Sequence, residues 1–276
     1  MRDHILIEVK NLRKTFPVKS GFGKKYIEAV NDVSFSMGAG ETLAVIGESG
    51  SGKTTVGRMI LKLAQPTAGA VLYRGEDITN FRGRKLKAYR KAVQAVFQDP
   101  YSSLNPRMRV IDIVAEPLRN FGYGGSLRDR AAGLLEDVGL DSGFLTCYPH
   151  HCSGGQKQRI AMARALAAEP AAIVLDEPLS ALDITVQNQV IGLLNELKAR
   201  YGLSYLLITH DLRVVRAIAD RVIVMYRGNI IETAEKEEFF THPAHPYSRS
   251  LLTAVPCIDG EISGIADEVA AASLEI

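Results

Sequence analysis

Gly47-Glu-Ser-Gly-Ser-Gly-Lys-Thr54 is the stretch that decides how this 276-residue chain is read. It follows the apolar run Thr42 to Ile46 and precedes helix-forming residues to about Leu63, which Pro66-Thr-Ala-Gly closes. The order is strand, glycine-rich loop, helix, and that order makes a cradle for phosphate. Gly47, Gly50 and Gly52 let the backbone approach an anion closely, so that N–H groups around Glu48, Ser49 and Ser51 converge on it. The helix beyond adds the positive end of its dipole. Lys53 can reach terminal phosphates, and the Thr54 hydroxyl, with Thr55 beside it, can ligate Mg²⁺.

Further along, the buried-type run Ala171-Ala-Ile-Val-Leu delivers Asp176 and then Glu177 to a strand end. After a phosphate cradle, such a pair reads as a carboxylate for Mg²⁺ (Asp176) and one that polarises an attacking water (Glu177). Its rival is an acidic pair capping a strand before Pro178. The guanine-reading [NT]KxD tetrapeptide is missing, which removes the GTPases. A second strand, Ser204-Tyr-Leu-Leu-Ile-Thr, ends at His210, and Arg221 to Thr233 reads as a hairpin around Arg-Gly-Asn. Ile5 to Val9 and Glu28 to Met37 alternate as an antiparallel edge sheet, with Gly21-Phe-Gly-Lys-Lys as a loop between them. Between Asp99 and about Ala168 the periodicity is helical, broken into pieces by Pro100, Pro106, Pro117 and Pro149.

Ser153-Gly154-Gly155-Gln156 opens a helix running to about Ala168 and forms a second anion site at a helix N-terminus. The set resembles the signature of the ABC ATPases, whose subunits sandwich ATP head to tail, the cradle of one against the signature of the other. In that resemblance Gln98 is the glutamine that senses Mg²⁺, Ser180-Ala-Leu-Asp183 the D-loop, His210 the switch histidine and Phe16 the aromatic that stacks on adenine. The implied fold is α/β: a RecA-like P-loop NTPase core with an antiparallel β subdomain and an inserted helical subdomain at about 99–168. The ATPase domain would cover 5–250, and 251–276 would be a partly disordered extension. Cys152 replaces the usual leucine before Ser153, a swap expected to be tolerated. Cys147-Tyr-Pro-His-His-Cys152 has the residue types of a zinc site without a standard spacing.

Phe97-Gln-Asp-Pro-Tyr-Ser-Ser-Leu-Asn-Pro-Arg, Tyr148-Pro-His, His245-Pro-Tyr-Ser-Arg-Ser and Val255-Pro256 resemble the oligopeptide/dipeptide/nickel importer branch, and more closely its second ATPase. That resemblance implies ATP and Mg²⁺ as cofactors, a second ATPase subunit, two permeases, a solute-binding protein, and a peripheral place at the cytoplasmic face of the bacterial inner membrane. Some members of the branch bind an iron–sulfur cluster near the C-terminus, but Cys257 alone lies there. An exporter ATPase and a soluble non-transport ABC protein are the rival readings. Composition agrees with the first reading. A net charge of +2 argues against a dedicated nucleic-acid binder, so Arg82, Arg84, Lys85, Lys87, Arg90 and Lys91 read as a solvated face. The charged start Met1-Arg-Asp-His and three cysteines without a CxxC pair suggest a reducing cytosol. No apolar run approaches the roughly 18 residues of a membrane span.

Overall fold

The computed structural model describes residues 5–20, 23–98 and 103–253. Among these residues the chain runs β1 (Ile5–Ser20), β2 (Gly23–Gly38), β3 (Thr42–Ile46), α1 (Lys53–Ile60), β4 (Ala68–Tyr73), β5 (Glu76–Asp77), α2 (Gly83–Ala92) and β6 (Val93–Phe97). There follow α3 (Val110–Phe121), α4 (Leu127–Asp137), 3₁₀ turns at Ser142–Thr146 and Pro149–His151, and α5 (Gly154–Leu166). The last part holds β7 (Ala172–Asp176), α6 (Ile184–Tyr201), β8 (Ser204–Ile208), α7 (Leu212–Ile218), β9 (Arg221–Tyr226), β10 (Asn229–Glu235), α8 (Lys236–Thr241) and α9 (Pro246–Thr253).

Every residue of β3, β7 and β8 is buried. Side chains alternate across a strand, so a strand buried along its whole length needs cover on both faces. It finds two cores. Ala44, Ile46, Ile173, Leu175, Tyr205 and Leu207 face one that also holds α3, α4, α5 and α6 residues such as Ile113, Leu134, Ile160 and Leu194. Leu43, Val45, Val174, Leu206 and Ile208 face the other, shared with α1 and with Leu6, Leu12, Val33 and Val71 of an antiparallel sheet. The central sheet has the order β10-β9-β3-β8-β7-β6, parallel throughout except for β10, which pairs antiparallel with β9 as the expected hairpin. The second sheet, β2-β1-β4-β5, is antiparallel.

Several expectations need correction. Pairing of β1 with β2 continues to Ser20 opposite Gly23, so the loop at 21–25 is shorter than its sequence suggests. Helix α1 stops at Ile60, because Lys62 turns into the left-handed region (φ 53°) and donates from Nζ to the carbonyls of Ile78 and Thr79 at 2.7 and 3.0 Å. Pro117 breaks nothing; it is buried within α3. Packing of Val110, Ile113, Val114 and Leu118 offsets the roughly 3 kcal/mol that an interior proline costs. Strands β4, β5 and β6 and helix α2 had no counterpart in the sequence reading. Helix α9 runs past residue 250. Pro100 and residues 254–276 of the extension, with Val255-Pro256 and Cys257 among them, lie outside the described residues.

Candidate functional site

Parallel register sets the site. Phe97 of β6, Asp176 of β7 and Ile208 of β8 lie side by side, with Val45 of β3 opposite Ile208. One to two residues later the four strands deliver Gln98, Glu177, His210 and the loop that begins at Gly47 to a single edge. Carboxyl ends of parallel strands are where open α/β sheets bind ligands.

The loop is shaped by glycines, two of which leave no room for a side chain. Gly47 has φ 142°, and a Cβ there would sit 2.1 Å from the Met225 carbonyl oxygen; at Gly52 (φ 105°) it would sit 2.3 Å from that of Ala29. Gly50 has φ 82°. Glu48, Ser49 and Gly50 are exposed, whereas Ser51 and Lys53 are buried. The Lys53 ammonium donates to the carbonyls of Gly47 (2.7 Å) and Glu48 (2.8 Å) and to Ser51 Oγ (3.4 Å). Burial lowers its pKa against the pull of Glu177, Asp176 and Glu48, so the loop holds a poorly solvated cation suited to an anion. The Thr54 hydroxyl donates to Asp176 Oδ1 at 3.0 Å. Burial raises the pKa of Asp176, that hydrogen bond opposes the rise, and the charge of Glu177 adds to it. Thr55 follows inside α1.

Glu177 adopts φ 49°, a cost of order 1–3 kcal/mol for a residue with a side chain. Its N–H donates to the Ile208 carbonyl of β8 at 2.8 Å, and its own carbonyl accepts from Ser180 Oγ at 3.2 Å. The strained turn aims the carboxylate at His210, whose Nδ1–H donates to Glu177 Oε1 across 2.9 Å. Gln98 is exposed directly beyond β6. Phe16 lies on β1 opposite Ile27, two residues from the Ala29 whose carbonyl bars a Cβ at Gly52, and it is 41% exposed with Lys14 Nζ 5.0 Å from the ring centre.

Ser153 caps α5 as expected and does so reciprocally: its Oγ accepts from Gln156 N–H (3.3 Å), while Gln156 Oε1 accepts from Ser153 N–H (2.8 Å). Gly154 and Gly155 have a packing reason too. A Cβ on Gly155 would meet Val186 Cγ1 at 2.6 Å, and one on Gly154 would meet Leu182 Cδ2 at 3.3 Å. Asp183 is the N-cap of α6 and accepts from Val186 N–H at 2.9 Å. Cys152 is buried in the core, and its thiol, like that of Cys147, leans back on a carbonyl of its own turn (Tyr148 and Gly143 respectively).

Two matches to known families accompany this geometry. The family described as "ABC transporter" matches residues 30–180, more than half of the chain. The chain belongs to that family. A second, "Oligopeptide/dipeptide transporter, C-terminal region", matches residues 231–274. The oligopeptide transport ATP-binding protein AppF of Bacillus subtilis is 47% identical over 257 residues, spanning 91% of this chain and 78% of that protein. The dipeptide transport ATP-binding protein DppF of Lactococcus lactis is 48% identical over 260 residues, spanning 92% and 82%. Among solved structures, the dimeric post-hydrolysis state of the ATP-binding cassette MJ0796 bound to ADP and Pi aligns with a TM-score of 0.74 at 32% identity, covering 84% of this chain and 99% of that one.

Sequence reading missed two features of this cassette. Gln187 on α6 donates to the carbonyls of Leu179 (3.0 Å) and Leu182 (3.1 Å) and accepts from Arg213 (3.5 Å), which also holds Asp211 beside the histidine. Tyr247 of α9 reaches the phosphate loop, where its hydroxyl oxygen accepts from Glu48 N–H at 3.1 Å. Tyr247 carries no spacing signal because Glu48 lies 199 residues away, and Gln187 carries none because its near partners are backbone carbonyls and its side-chain partner, Arg213, stands on another helix.

Proposed function

We propose that this chain is the ATP-hydrolysing subunit of a peptide importer and that the residues at its sheet edge carry the reaction. The supporting observation is the convergence of Lys53, the Thr54–Asp176 pair and the Glu177–His210 pair on one phosphate-shaped loop. The family's C-terminal region at 231–274 and relatives named for oligopeptide and dipeptide transport support the substrate class.

The loop residues Gly47, Glu48, Ser49, Gly50, Ser51, Gly52, Lys53, Thr54 and Thr55 would form the cradle for the phosphates of ATP, Glu48 as part of its frame because its N–H is given to Tyr247, and Phe16 would stack on the base. The donor set fits Mg²⁺: a hydroxyl and a carboxylate oxygen already meet at 3.0 Å, hard ligands of the kind that ion takes. Thr54, Asp176 and Gln98 would hold it, and it would offset charge on the phosphate oxygens. Glu177 accepts a hydrogen bond from the attacking water and orients it, while His210 fixes the rotamer of that carboxylate. Ser153, Gly154, Gly155, Gln156 and Asp183 would serve a nucleotide held by a second ATPase subunit. No described helix is long and apolar enough to cross a membrane. The work would therefore pass to two permeases, fed by a solute-binding protein, with this chain peripheral at the cytoplasmic face of the bacterial inner membrane and no nucleic acid involved. The ATPase domain would cover about 5–250, with 251–276 as an extension.

Glu177→Gln tests this reading. MgATP affinity should stay within about twofold of wild type while kcat falls on the order of 10²–10⁴-fold, the usual range for a lost general base. Hydrolysis at a near-normal rate would overturn the role of Glu177. Lys53→Ala should weaken MgATP binding itself, and unchanged affinity would remove the loop from the site.

A further inference from the structure

We propose that the C-terminal helix of this chain clamps its own phosphate loop through Tyr247, making that tyrosine a positioning residue for ATP. The inference rests on the reading of residues 47–54 as the ATP site and adds a function for the His-Pro-Tyr segment.

The loop is gripped from one side by the β9–β10 hairpin through backbone alone. Gly47 is wedged against the Met225 carbonyl, and Gly228 N–H donates to the Ser51 carbonyl at 3.0 Å. Glu48 stands at the loop's entrance on the exposed side, and its N–H is taken by the Tyr247 hydroxyl. That donor therefore already has a partner before any phosphate arrives. The phenol is itself held in place. Its ring packs on Tyr226 of the same hairpin, with centroids 4.5 Å apart and planes tilted by 45°.

The turn that presents it is rigid. Both Glu232 carboxylate oxygens are used, Oε1 by Ala244 N–H (2.9 Å) and Oε2 by His245 N–H (3.0 Å). Burial would raise the Glu232 pKa, yet the Ser248 side chain first, and then the Ala244 and His245 N–H groups, hold it below the ordinary carboxylate range, so Glu232 is ionised at neutral pH. Arg249 donates from Nε to the Pro243 carbonyl (3.0 Å), and Tyr247 N–H donates to His245 Nδ1 (3.1 Å). Ser248 and Leu252 are buried and fix the helix against the core. A chain of short contacts thus joins the family's C-terminal region to the first residue after Gly47.

Tyr247 meets the loop through a backbone group and bonds to neither Glu177 nor His210. Its loss should remove binding felt equally by ATP and by the transition state, which raises KM and leaves kcat alone.

The experiment compares the full-length wild-type chain with Tyr247→Phe, which keeps the ring against Tyr226 and removes only the hydroxyl. For one hydrogen bond, Kd and KM for MgATP should rise about 2- to 10-fold at constant kcat. Amide exchange at Glu48 in the nucleotide-free protein should accelerate by a similar factor. A general loss of stability would instead lower the melting temperature and apparent kcat, leaving KM unmoved. Wild-type KM and unchanged Glu48 exchange in Tyr247→Phe, with Lys53→Ala still defective, would overturn the clamp and leave the ATP site standing. Absence of MgATP binding by the wild-type chain would overturn both. Should Tyr247→Phe fold poorly, Glu232→Gln loosens the turn without touching the hydroxyl and should raise KM in the same direction. An unprotected Glu48 amide in the wild-type protein would sink the proposal without any variant.

Discussion

At Asp176 and Lys53 the fold accepts charge where charge is poorly solvated. Asp176 has a raised pKa chiefly because it is buried. Its ionised form is therefore less favourable in the folded chain than in the unfolded one, and at neutral pH it subtracts stability. Lowering the pH protonates the folded carboxyl first, so the penalty disappears as the unfolded pKa is passed. Asp176→Asn can keep an acceptor for the Thr54 hydroxyl and removes the charge. Nucleotide-free Asp176→Asn should melt at or above the wild-type temperature at pH 7, and its advantage should shrink as the pH is lowered into the carboxylate range. The same variant should lose Mg²⁺-dependent hydrolysis, a trade of activity for stability. Thermal melts at several pH values check the sign, and a variant markedly less stable at pH 7 would refute it. Lys53 is disfavoured in the same sense, its pKa lowered by burial, and both residues would be better matched by a polyanion and its metal than by the loop alone.

Between elements, the unexpected link is the bridge from α7 to the turn before α6. Arg213 pairs with Asp211 through Nη2 at 2.7 Å, contacts Gln187 Oε1 at 3.5 Å, and Gln187 Nε2 ties the Leu179 and Leu182 carbonyls together. The loop carrying His210 and the loop carrying Ser180 and Asp183 are thereby held in one arrangement. Gln187→Leu conserves bulk and deletes both donors. Leaving two carbonyls without that partner costs about 1 kcal/mol each at most, because water can replace it in part. The expected result is a fall in kcat of about tenfold with MgATP affinity within about twofold, read from steady-state kinetics beside equilibrium binding. Loss of affinity at constant kcat would show that the bridge supports the phosphate loop instead. Helix α2 belongs to this scale as well. Its Tyr89 is buried edge-on against Tyr73 and Phe81, while Arg84, Lys85 and Lys87 are exposed.

For the whole molecule, the test concerns which chain the proposed anion site at Ser153 serves. The N-terminus of α5 is packed on Leu182 and Val186 and satisfies its own cap, and it is a separate element from the loop at 47–54. If it acts on a partner's nucleotide, mixing Ser153→Arg chains with Lys53→Ala chains should partly restore hydrolysis. One composite site would carry both lesions and the other none. Each variant alone should be silent, the first by blocking closure around the phosphate and the second by losing the cradle's cation. Activity that stays absent after demonstrated subunit exchange would mean that the signature serves its own chain, or that both sites must fire together. Where the chain does not pair with itself, the two lesions go into the two ATPases of the complete transporter.

Local chemistry made much of this chain legible before any coordinates. The glycine spacing from Gly47 to Gly52 determined a tight loop after β3, because residues with a side chain rarely adopt φ values of 82° to 142° and only a missing Cβ clears the carbonyls of Met225 and Ala29. The largely apolar runs of β3, β7 and β8 determined buried strands, and Ser153 with Gln156 determined a capped helix. These signals are local or periodic, so a sequence can hold them. Parallel register aligned Phe97, Asp176 and Ile208 and so brought Gln98, Glu177 and His210 to one edge. Tertiary packing carried Pro117 inside a helix, ended α1 at Ile60, and put Tyr247 on Glu48, 199 residues away. Such contacts form between distant segments whose partners are chosen by the shape of two cores, and no spacing within either segment encodes them.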